Sequence, residues 1–412
     1  MQNDFRTPDE VAAMDDVGSP TPDTLTPTTP SPSPTPAPDT PKTGKLAAMW
    51  QKLDLHWPPG RKEYLVAAGV ILVLGGVTAF ALTRDSKPVP KPVVKKMVKK
   101  PVVPKTVPST LTGLQIDPSV NLRPVTGIMI ENSQDARPQS GLSEAGVVFE
   151  AIAEGGITRF LTLFQDTAPE DIGPIRSARP YYISWLMAFD AGYAHVGGSP
   201  EALANIKALG VRDLDQFANA GSYHRVNSRA APHNVYTSIA ALNQLETAKG
   251  YGTSTFTGFV RKKVVPAKKT SSIKPAAAAP APTARTIDLS ISGPVYGVHY
   301  DYNAPTNSYN RSEGGAPHID VNGNRVISPT VVVGLVVPFS IASDGRHSVY
   351  QVVGSGAAYV FQDGNVTIGT WTKPGDKNQI TFTDATGKPL GLNPGQTWIT
   401  AVSDASKVTY AP

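Results

Sequence analysis

The pattern of apolar and polar residues predicts a folded region that begins near residue 113. Its first half contains three runs rich in β-branched and aromatic residues, which predict strands at 125–131, 147–153 and 159–164. Apolar residues at helical spacing predict helices at 181–193, 201–209 and 238–249, and a further short strand is predicted at 194–196. Strands interleaved with helices favour an α/β-like arrangement for this half.

The second half of the folded region has a different pattern, with short strand-like runs and turns but no helical spacing. The predicted strands are 295–302, 331–337, 349–353, 357–361, 366–370, 379–383 and 397–402. Hairpin-type turns containing glycine separate several of them, at Asn322-Gly323, Asp344-Gly345, Asp363-Gly364 and Thr386-Gly387. The fold class predicted for the whole chain is therefore α+β, with an α/β-like N-terminal domain and a mostly-β C-terminal domain.

Before the folded region, Tyr64–Leu82 is a run of nineteen residues without a charge, which matches the hydrocarbon thickness of a bilayer. It predicts one transmembrane helix, because a cleavable signal peptide would lie much closer to the N-terminus. The organisation predicted for the chain is a disordered Pro/Thr-rich tail (1–60), a transmembrane helix (61–84), a Lys/Pro-rich linker (85–112), an N-terminal domain (113–260), a Pro/Ala/Lys linker (261–286) and a C-terminal domain (287–412).

Composition sharpens this picture. The 412 residues carry 38 Lys and Arg against 33 Asp and Glu, a formal net charge of +5, but the excess lies in the tail and the two linkers. The predicted domains are acidic, which argues against nucleic-acid binding, since that needs a basic face on the folded module. The chain has no cysteine, which excludes disulfides, a thiolate nucleophile and a lipid anchor on a cysteine thiol.

The first candidate site is Arg176-Ser177-Ala178-Arg179, just before a predicted helix. Two guanidinium groups and a hydroxyl can bind an anion, and the start of a helix adds backbone N–H groups. The alternative is that both arginines pair with nearby carboxylates such as Asp166 or Asp171.

Two further clusters follow in the same half. His195-Val-Gly-Gly-Ser199 joins a strand end to a helix, so that His195 could move a proton and Ser199 could contact a ligand; an ordinary strand-to-helix turn is the alternative. Arg225, Arg229 and His233 lie close together in an otherwise acidic region. No spacing typical of a metal site or of a nucleophile elbow occurs, so neither a metal nor a cofactor is predicted.

Carboxylates that could act as a base or a ligand are Glu131, Glu150 and Glu154, and the alternative is that they are surface residues. In the second half, Arg311, His318 and Asp320 lie in a glycine-rich segment that is predicted to be a loop, where a ligand could bind. A simple polar turn is the alternative.

These motifs resemble the YerB-like lipoproteins, the family of domain of unknown function 3048 with its separate C-terminal domain. The segments that carry the resemblance are IMIENSQDARPQSGLSEAGVVFEAIAEGGITRFLTLFQ (128–165), IGPIRSARPYY (172–182), HVGGSP (195–200), APHNVYT (231–237), YNRSEGGAPHID (309–320), GSGAAYVFQDGNVTIGTW (354–371) and NPGQTWI (393–399). The resemblance implies a membrane-tethered, extracytoplasmic bacterial protein, but no agreed activity. This chain departs from the family in lacking a lipidated cysteine, and the apolar segment would replace that anchor.

The resemblance also decides the predicted orientation. Lysines are more numerous on the C-terminal side of the apolar segment, which by itself favours a cytoplasmic C-terminal side. The family implies the opposite, and we therefore expect a single-pass protein with a cytoplasmic N-terminus and extracytoplasmic domains.

Three functions stay open at this stage. The first is an envelope binding module whose Arg/His-lined cleft holds an anionic glycan, a lipid phosphate or a carboxylate. The second is an envelope enzyme acting on a phosphodiester or glycosidic bond, with His195, His233, Glu150 or Glu154 as candidate catalytic residues. The third is a scaffold for protein partners. The first two predict that Arg176, Arg179, His195, Arg229 and His233 meet in one pocket.

Overall fold

The computed structural model describes residues 105–263 and 281–412. The predicted tail, the predicted transmembrane segment, most of the Lys/Pro-rich linker and residues 264–280 of the second linker lie outside these ranges. No helix within the two described ranges is long and apolar enough to cross a membrane.

The first described range contains three helices and nine strands. The helices are α1 (Pro180–Met187), α2 (Pro200–Ala208) and α3 (Ile239–Ala248). The strands are β1 (Val107–Pro108), β2 (Gln115–Ile116), β3 (Thr126–Glu131), β4 (Val147–Glu154), β5 (Ile157–Phe164), β6 (Gly192–Ala194), β7 (Arg212–Asp213), β8 (His224–Arg225) and β9 (Val235–Tyr236).

The second described range is built from strands, apart from short 3₁₀ turns. The strands are β10 (Thr286–Leu289), β11 (Val298–Asn303), β12 (Ser308–Glu313), β13 (Ala316–Pro317), β14 (Ile319–Asp320), β15 (Arg325–Val326), β16 (Val331–Val336), β17 (Phe339–Ile341), β18 (Ser348–Tyr350), β19 (Gly354–Gln362), β20 (Asn365–Lys373), β21 (Thr381–Asp384), β22 (Thr397–Val402) and β23 (Val408–Ala411). The predicted α+β class with a mostly-β C-terminal half is thus confirmed for the described residues.

One ten-stranded sheet runs through both halves, in the order β21-β20-β19-β16-β22-β4-β5-β3-β6-β7. The junction is the pair β22 and β4, which run parallel with Thr397 opposite Val147 and Thr400 opposite Glu150. A separate five-stranded sheet, β13-β12-β11-β10-β23, belongs to the second half. Because backbone hydrogen bonds cross the junction, the two predicted domain ranges share one sheet.

Alternating side chains of the long sheet enter different cores. Along β4, Phe149 packs with Trp185 of α1 in one cluster, whereas Val148 packs with Leu242 of α3 in another. Helices therefore cover both faces of the first half, which agrees with the almost continuous burial along β3, β4 and β5.

The predicted helix at 181–193 is too long, and the short strand predicted at 194–196 lies two residues too far along. Helix α1 ends at Met187, Asp190 takes a positive φ of 50°, and Gly192–Ala194 joins the sheet as β6 beside β3. The apolar spacing continues past the helix end because both the helix and the strand are buried, so spacing alone does not separate them.

Glu246 of α3 is a buried carboxyl that lies against β3 and β6. Thr126 Oγ1 donates to Glu246 Oε2 (2.9 Å), and burial raises the pKa of Glu246 to about 8. Only a glycine fits beside it, because a Cβ at Gly192 would lie 2.1 Å from Glu246 Oε1. Glu246 is therefore protonated in the folded chain at neutral pH.

We expect Glu246→Gln to reduce the pH dependence of stability. Because the pKa of Glu246 is higher in the folded than in the unfolded state, protonation adds to the free energy of unfolding at pH values below the unfolded-state pKa near 4.5. This contribution is lost as the pH rises towards 8, by about 1.4 kcal/mol for each unit of difference between the two pKa values. Urea unfolding between pH 5 and pH 8 measures the slope. The exposed Glu201→Gln serves as the control, and an unchanged slope in Glu246→Gln would contradict the assignment.

Candidate functional site

Three parallel strands end at one edge of the main sheet, and polar side chains collect there. β3, β6 and β7 run parallel to each other, and Glu131, His195 and Asp213 lie at or just beyond their carboxyl ends. In open sheets, ligands bind preferentially outside the carboxyl ends of parallel strands. This edge is therefore the natural place for a site in this fold.

A cleft of about 550 Å³ opens beside this edge, and we call it the Arg176 cleft. Its walls come from the segment before α1, the turn after β6, the turn after β7 and the β8–β9 arm. The lining side chains with chemistry to offer are Arg176, Ser177, Asp215, Phe217 and Arg225. Two of the predicted ligand-binding arginines therefore face one cavity.

Glu131 organises the polar groups next to the cleft. This buried carboxylate lies 3.2 Å from Arg176 Nε, and it accepts a hydrogen bond from Ser133 Oγ (2.9 Å). His233 Nδ1 lies 2.9 Å from the second oxygen of Glu131. Such a contact fixes the orientation of the imidazole, whose Nε2 lies 4.0 Å from Oδ2 of the exposed Asp135. The sequence analysis named Glu131 and His233 but did not connect them, and it missed Ser133.

Arg179 does not share the cleft with Arg176. It is buried and pairs with Glu154, which also pairs with Arg159 at 2.9 Å. Although burial alone would raise it, these two arginines hold the pKa of Glu154 below its ordinary value. The expectation that both arginines pair with carboxylates is thus met by Glu131 and Glu154 instead of Asp166 or Asp171. Glu154 acts here as an ion-pair partner.

His195 lies behind the cleft wall and is fully buried. Its Nδ1 lies 2.8 Å from the carbonyl oxygen of Gly197, and its Nε2 lies 3.0 Å from Asp213 Oδ1. Asp213 in turn accepts from the backbone N–H of Asp215 (2.8 Å). His195 therefore holds the turns after β6 and β7 together and cannot reach a ligand in the cleft.

The other predicted residues of this half also hold the chain in place. Arg229 donates to the carbonyl oxygens of Asp135 (2.5 Å) and Pro138 (2.6 Å), which anchors the arm that carries Arg225 and His233. The Ser199 hydroxyl caps α2 by accepting from the N–H of Ala202 (3.3 Å). The predicted meeting of Arg176, Arg179, His195, Arg229 and His233 in one pocket is therefore not what the structure shows.

Arg311 lies on strand β12, not in the predicted loop, and forms a buried network at the junction of the two halves. It donates to Glu150 Oε1 (2.8 Å) and Glu313 Oε2 (3.1 Å), and its guanidinium lies 4.7 Å from the centroid of the Trp398 ring. All four side chains are buried. We call this group the Arg311 network.

The electrostatics of the Arg311 network are those of a closed structural cluster. Burial alone lowers the pKa of Arg311, but Glu150 and Glu313 raise it above its ordinary value, so the cation is retained. Burial and the nearby Arg311 lower the pKa of His318, which is neutral and accepts from Arg311. Burial raises the pKa of Glu150, an effect that Arg311 partly offsets.

Asp320 is also buried and joins the halves at a second point. It accepts hydrogen bonds from the backbone N–H groups of Gly141 (3.0 Å) and Ser143 (2.6 Å). Arg311, His318 and Asp320 are thus enclosed by protein and do not line the Arg176 cleft, although Gln139 connects His318 to the backbone of Glu131.

A second cavity of about 490 Å³ lies between the end of α1 and residues 377–379. It contains Arg212, whose guanidinium already pairs with Asp190 at 2.7 Å. Among residues 105–263 and 281–412, no three His, Asp or Glu side chains are arranged to hold a metal ion. Of these two cavities, only the Arg176 cleft contains an arginine without a carboxylate partner among the described residues, so it is the better candidate for an anion site.

Comparisons with known proteins cover most of the described chain. Models of the Protein of unknown function (DUF3048) N-terminal domain and C-terminal domain match residues 111–252 and 287–399. The Bacillus subtilis (strain 168) protein called "Putative lipoprotein YerB" is 31% identical over 299 residues, which is 71% of this chain and 86% of that protein. A crystal structure of YerB from Bacillus subtilis superimposes with a TM-score of 0.65 at 27% identity, covering 74% of this chain and all of that one.

Proposed function

The chain belongs to the DUF3048 family, and on that basis we propose that it is an extracytoplasmic envelope protein that binds an anionic ligand in the Arg176 cleft. The name of the Bacillus subtilis relative supports a place at the membrane. Residues 64–82 would supply the anchor in this chain, which has no cysteine to carry a lipid. A reporter enzyme that is active only outside the cytoplasm tests whether the domains are extracytoplasmic when it is fused after Pro412.

The observation that supports this proposal is that two guanidinium groups line one open cleft, and only Arg176 has an ion-pair partner among the described residues. Among the described carboxylates, only Glu131 lies within ion-pair distance of Arg176, and none does so for Arg225. Arg225 is exposed, and its one side-chain hydrogen bond within the described ranges goes to Asn234 Oδ1 (2.6 Å). Guanidinium groups bind phosphate and carboxylate groups through paired N–H donors.

The cleft also has a rigid frame, which a binding site needs. Arg229 anchors the arm that carries Arg225, and His195 joins the two turns that form the opposite wall. Side chains held by packing and hydrogen bonds lose less entropy when a ligand binds. The predicted residues that do not face the cleft thus contribute to its shape.

We expect the double variant Arg176→Met/Arg225→Met to bind inorganic pyrophosphate at least about tenfold more weakly than the unaltered chain, because charge-assisted hydrogen bonds contribute roughly 1.5–3 kcal/mol each. Isothermal titration calorimetry on the full chain measures this. The lysine-rich segments stay the same in both proteins, so any binding to them cancels. Arg346→Met, which removes an exposed arginine elsewhere, is the control. Equal affinity of the double variant and the unaltered chain for pyrophosphate would refute the proposal that the Arg176 cleft binds the anion.

An envelope enzyme is the second candidate, and the contact between His233 and Glu131 favours it. A carboxylate at Nδ1 prepares the opposite nitrogen to accept a proton from an attacking water. If the protein is a hydrolase of this kind, phosphate esters are cleaved in its presence and His233→Gln stops cleavage while binding persists. Binding without cleavage supports the module, and neither binding nor cleavage leaves the scaffold as the function.

A further inference from the structure

The Arg176 cleft has an apolar wall as well as a cationic one. Phe217 is 72% exposed and Leu203 is 43% exposed, and both line the cleft together with the partly buried Val196. A single exposed apolar residue needs no explanation, but a contiguous group that includes an aromatic ring beside charged groups marks a binding surface.

The Phe217 ring is exposed and lies close to the backbone of the turn after β6. It lies over Gly197, whose φ is +57°, and a Cβ at that position would be only 3.2 Å from the ring. The N–H of Gly197 donates to Asp215 Oδ1 (2.8 Å), two residues before the ring. The glycine thus lets the ring approach the strand end, where the ring contributes apolar surface to the cleft.

Asp215 adds a hydrogen-bond acceptor to the same wall. Its Oδ1 is occupied by Gly197, and Oδ2 has no hydrogen-bond partner in the part of the chain that the structure describes. A carboxylate oxygen repels an anionic group placed next to it, but it accepts hydrogen bonds from hydroxyl groups. The cleft therefore offers a flat apolar ring, a hydroxyl acceptor and two cations.

We propose that the ligand of the Arg176 cleft is an anionic saccharide. Its sugar ring stacks on Phe217, a ring hydroxyl donates to Asp215, and its phosphate or carboxylate group binds Arg176 and Arg225. This rests on the proposed function and adds the class of ligand. A lipid phosphate fits less well, because its hydrocarbon chain would have to lie against the unpaired carboxylate oxygen of Asp215 and desolvate it.

The test compares three probes on the full chain by calorimetry: glucose 1-phosphate, inorganic phosphate and vesicles of phosphatidylglycerol. We expect glucose 1-phosphate to bind about fivefold to tenfold more tightly than inorganic phosphate. Phe217→Ala reduces the affinity for glucose 1-phosphate to that for inorganic phosphate, whereas Phe217→Tyr, which keeps the ring, retains the difference between the two probes.

The outcomes separate this inference from the proposed function. If the unaltered chain binds inorganic phosphate through Arg176 and Arg225 but Phe217→Ala keeps the advantage of the sugar phosphate, the saccharide inference fails and the anion site stands. Tight binding to vesicles that depends on Phe217, with no preference for the sugar phosphate, identifies a lipid and overturns the inference. If the two arginines affect none of the probes, the proposed function itself fails.

Discussion

Arg311→Met is expected to lower the free energy of unfolding by about 3–5 kcal/mol, since it removes one partner of a fully buried ion pair. Methionine fills much of the space of the arginine stem, so the loss measures charge more than volume. Glu150 and Glu313 would be left buried without their cation, and the acceptor nitrogen of His318 would lose its donor. Each of these groups then bears the cost of desolvation without compensation.

Chemical denaturation at pH 7 measures this effect, with the exposed Arg346→Met as the matched control. The double variant Glu150→Gln/Arg311→Met should recover part of the loss, because it removes a buried negative charge together with the cation. A loss below about 1 kcal/mol in Arg311→Met, the size typical of a surface ion pair, would show that the Arg311 network is solvated and not structural.

Separating the two halves is expected to abolish the fold of the first half. A chain that ends at residue 263 lacks β22, which leaves the edge of β4 without its parallel partner and Glu150 without Arg311. An exposed edge and an unpaired buried charge both oppose folding. We expect this half alone to show no cooperative unfolding transition.

Cleavage within residues 264–280 gives the matched control for that experiment. A protease site introduced there breaks the chain after folding, so the junction between β22 and β4 stays intact and cooperative unfolding persists. Circular dichroism during thermal unfolding reports both results. Cooperative unfolding of the separate first half, at a temperature close to that of the whole chain, would show that the shared sheet contributes little to stability.

The sequence predicted the apolar strands well because both faces of these strands are buried, so that each strand appears in the sequence as a nearly continuous apolar run. β3, β4 and β22 lie within a few residues of the predicted runs. β12 was missed because the residues of its buried face include Arg311 and Glu313, and charged residues in a sequence suggest exposure. Glu150, the partner of Arg311 across the junction, lies 161 residues away in the sequence, and no local pattern contains this information.

The candidate site shows the same limit. Arg176 and Arg179 are three residues apart, yet one lines the cleft and the other pairs with Glu154. Arg179, the N-cap of α1, still has extended backbone, on which residues an odd number of positions apart point to opposite sides. The sequence identified the two arginines as candidates but did not indicate with which carboxylate each of them forms an ion pair. Phe217 was missed because a single aromatic residue between turns carries no pattern, although its neighbour Asp215 follows a short strand, as binding residues often do.

The central claim is that Arg176 and Arg225 bind the same anion, and a crystal structure of the protein grown with inorganic pyrophosphate tests it most directly. The predicted result is electron density for the anion in the Arg176 cleft, within hydrogen-bond distance of both guanidinium groups. An empty cleft in crystals whose anion is bound elsewhere on the folded part would contradict the claim.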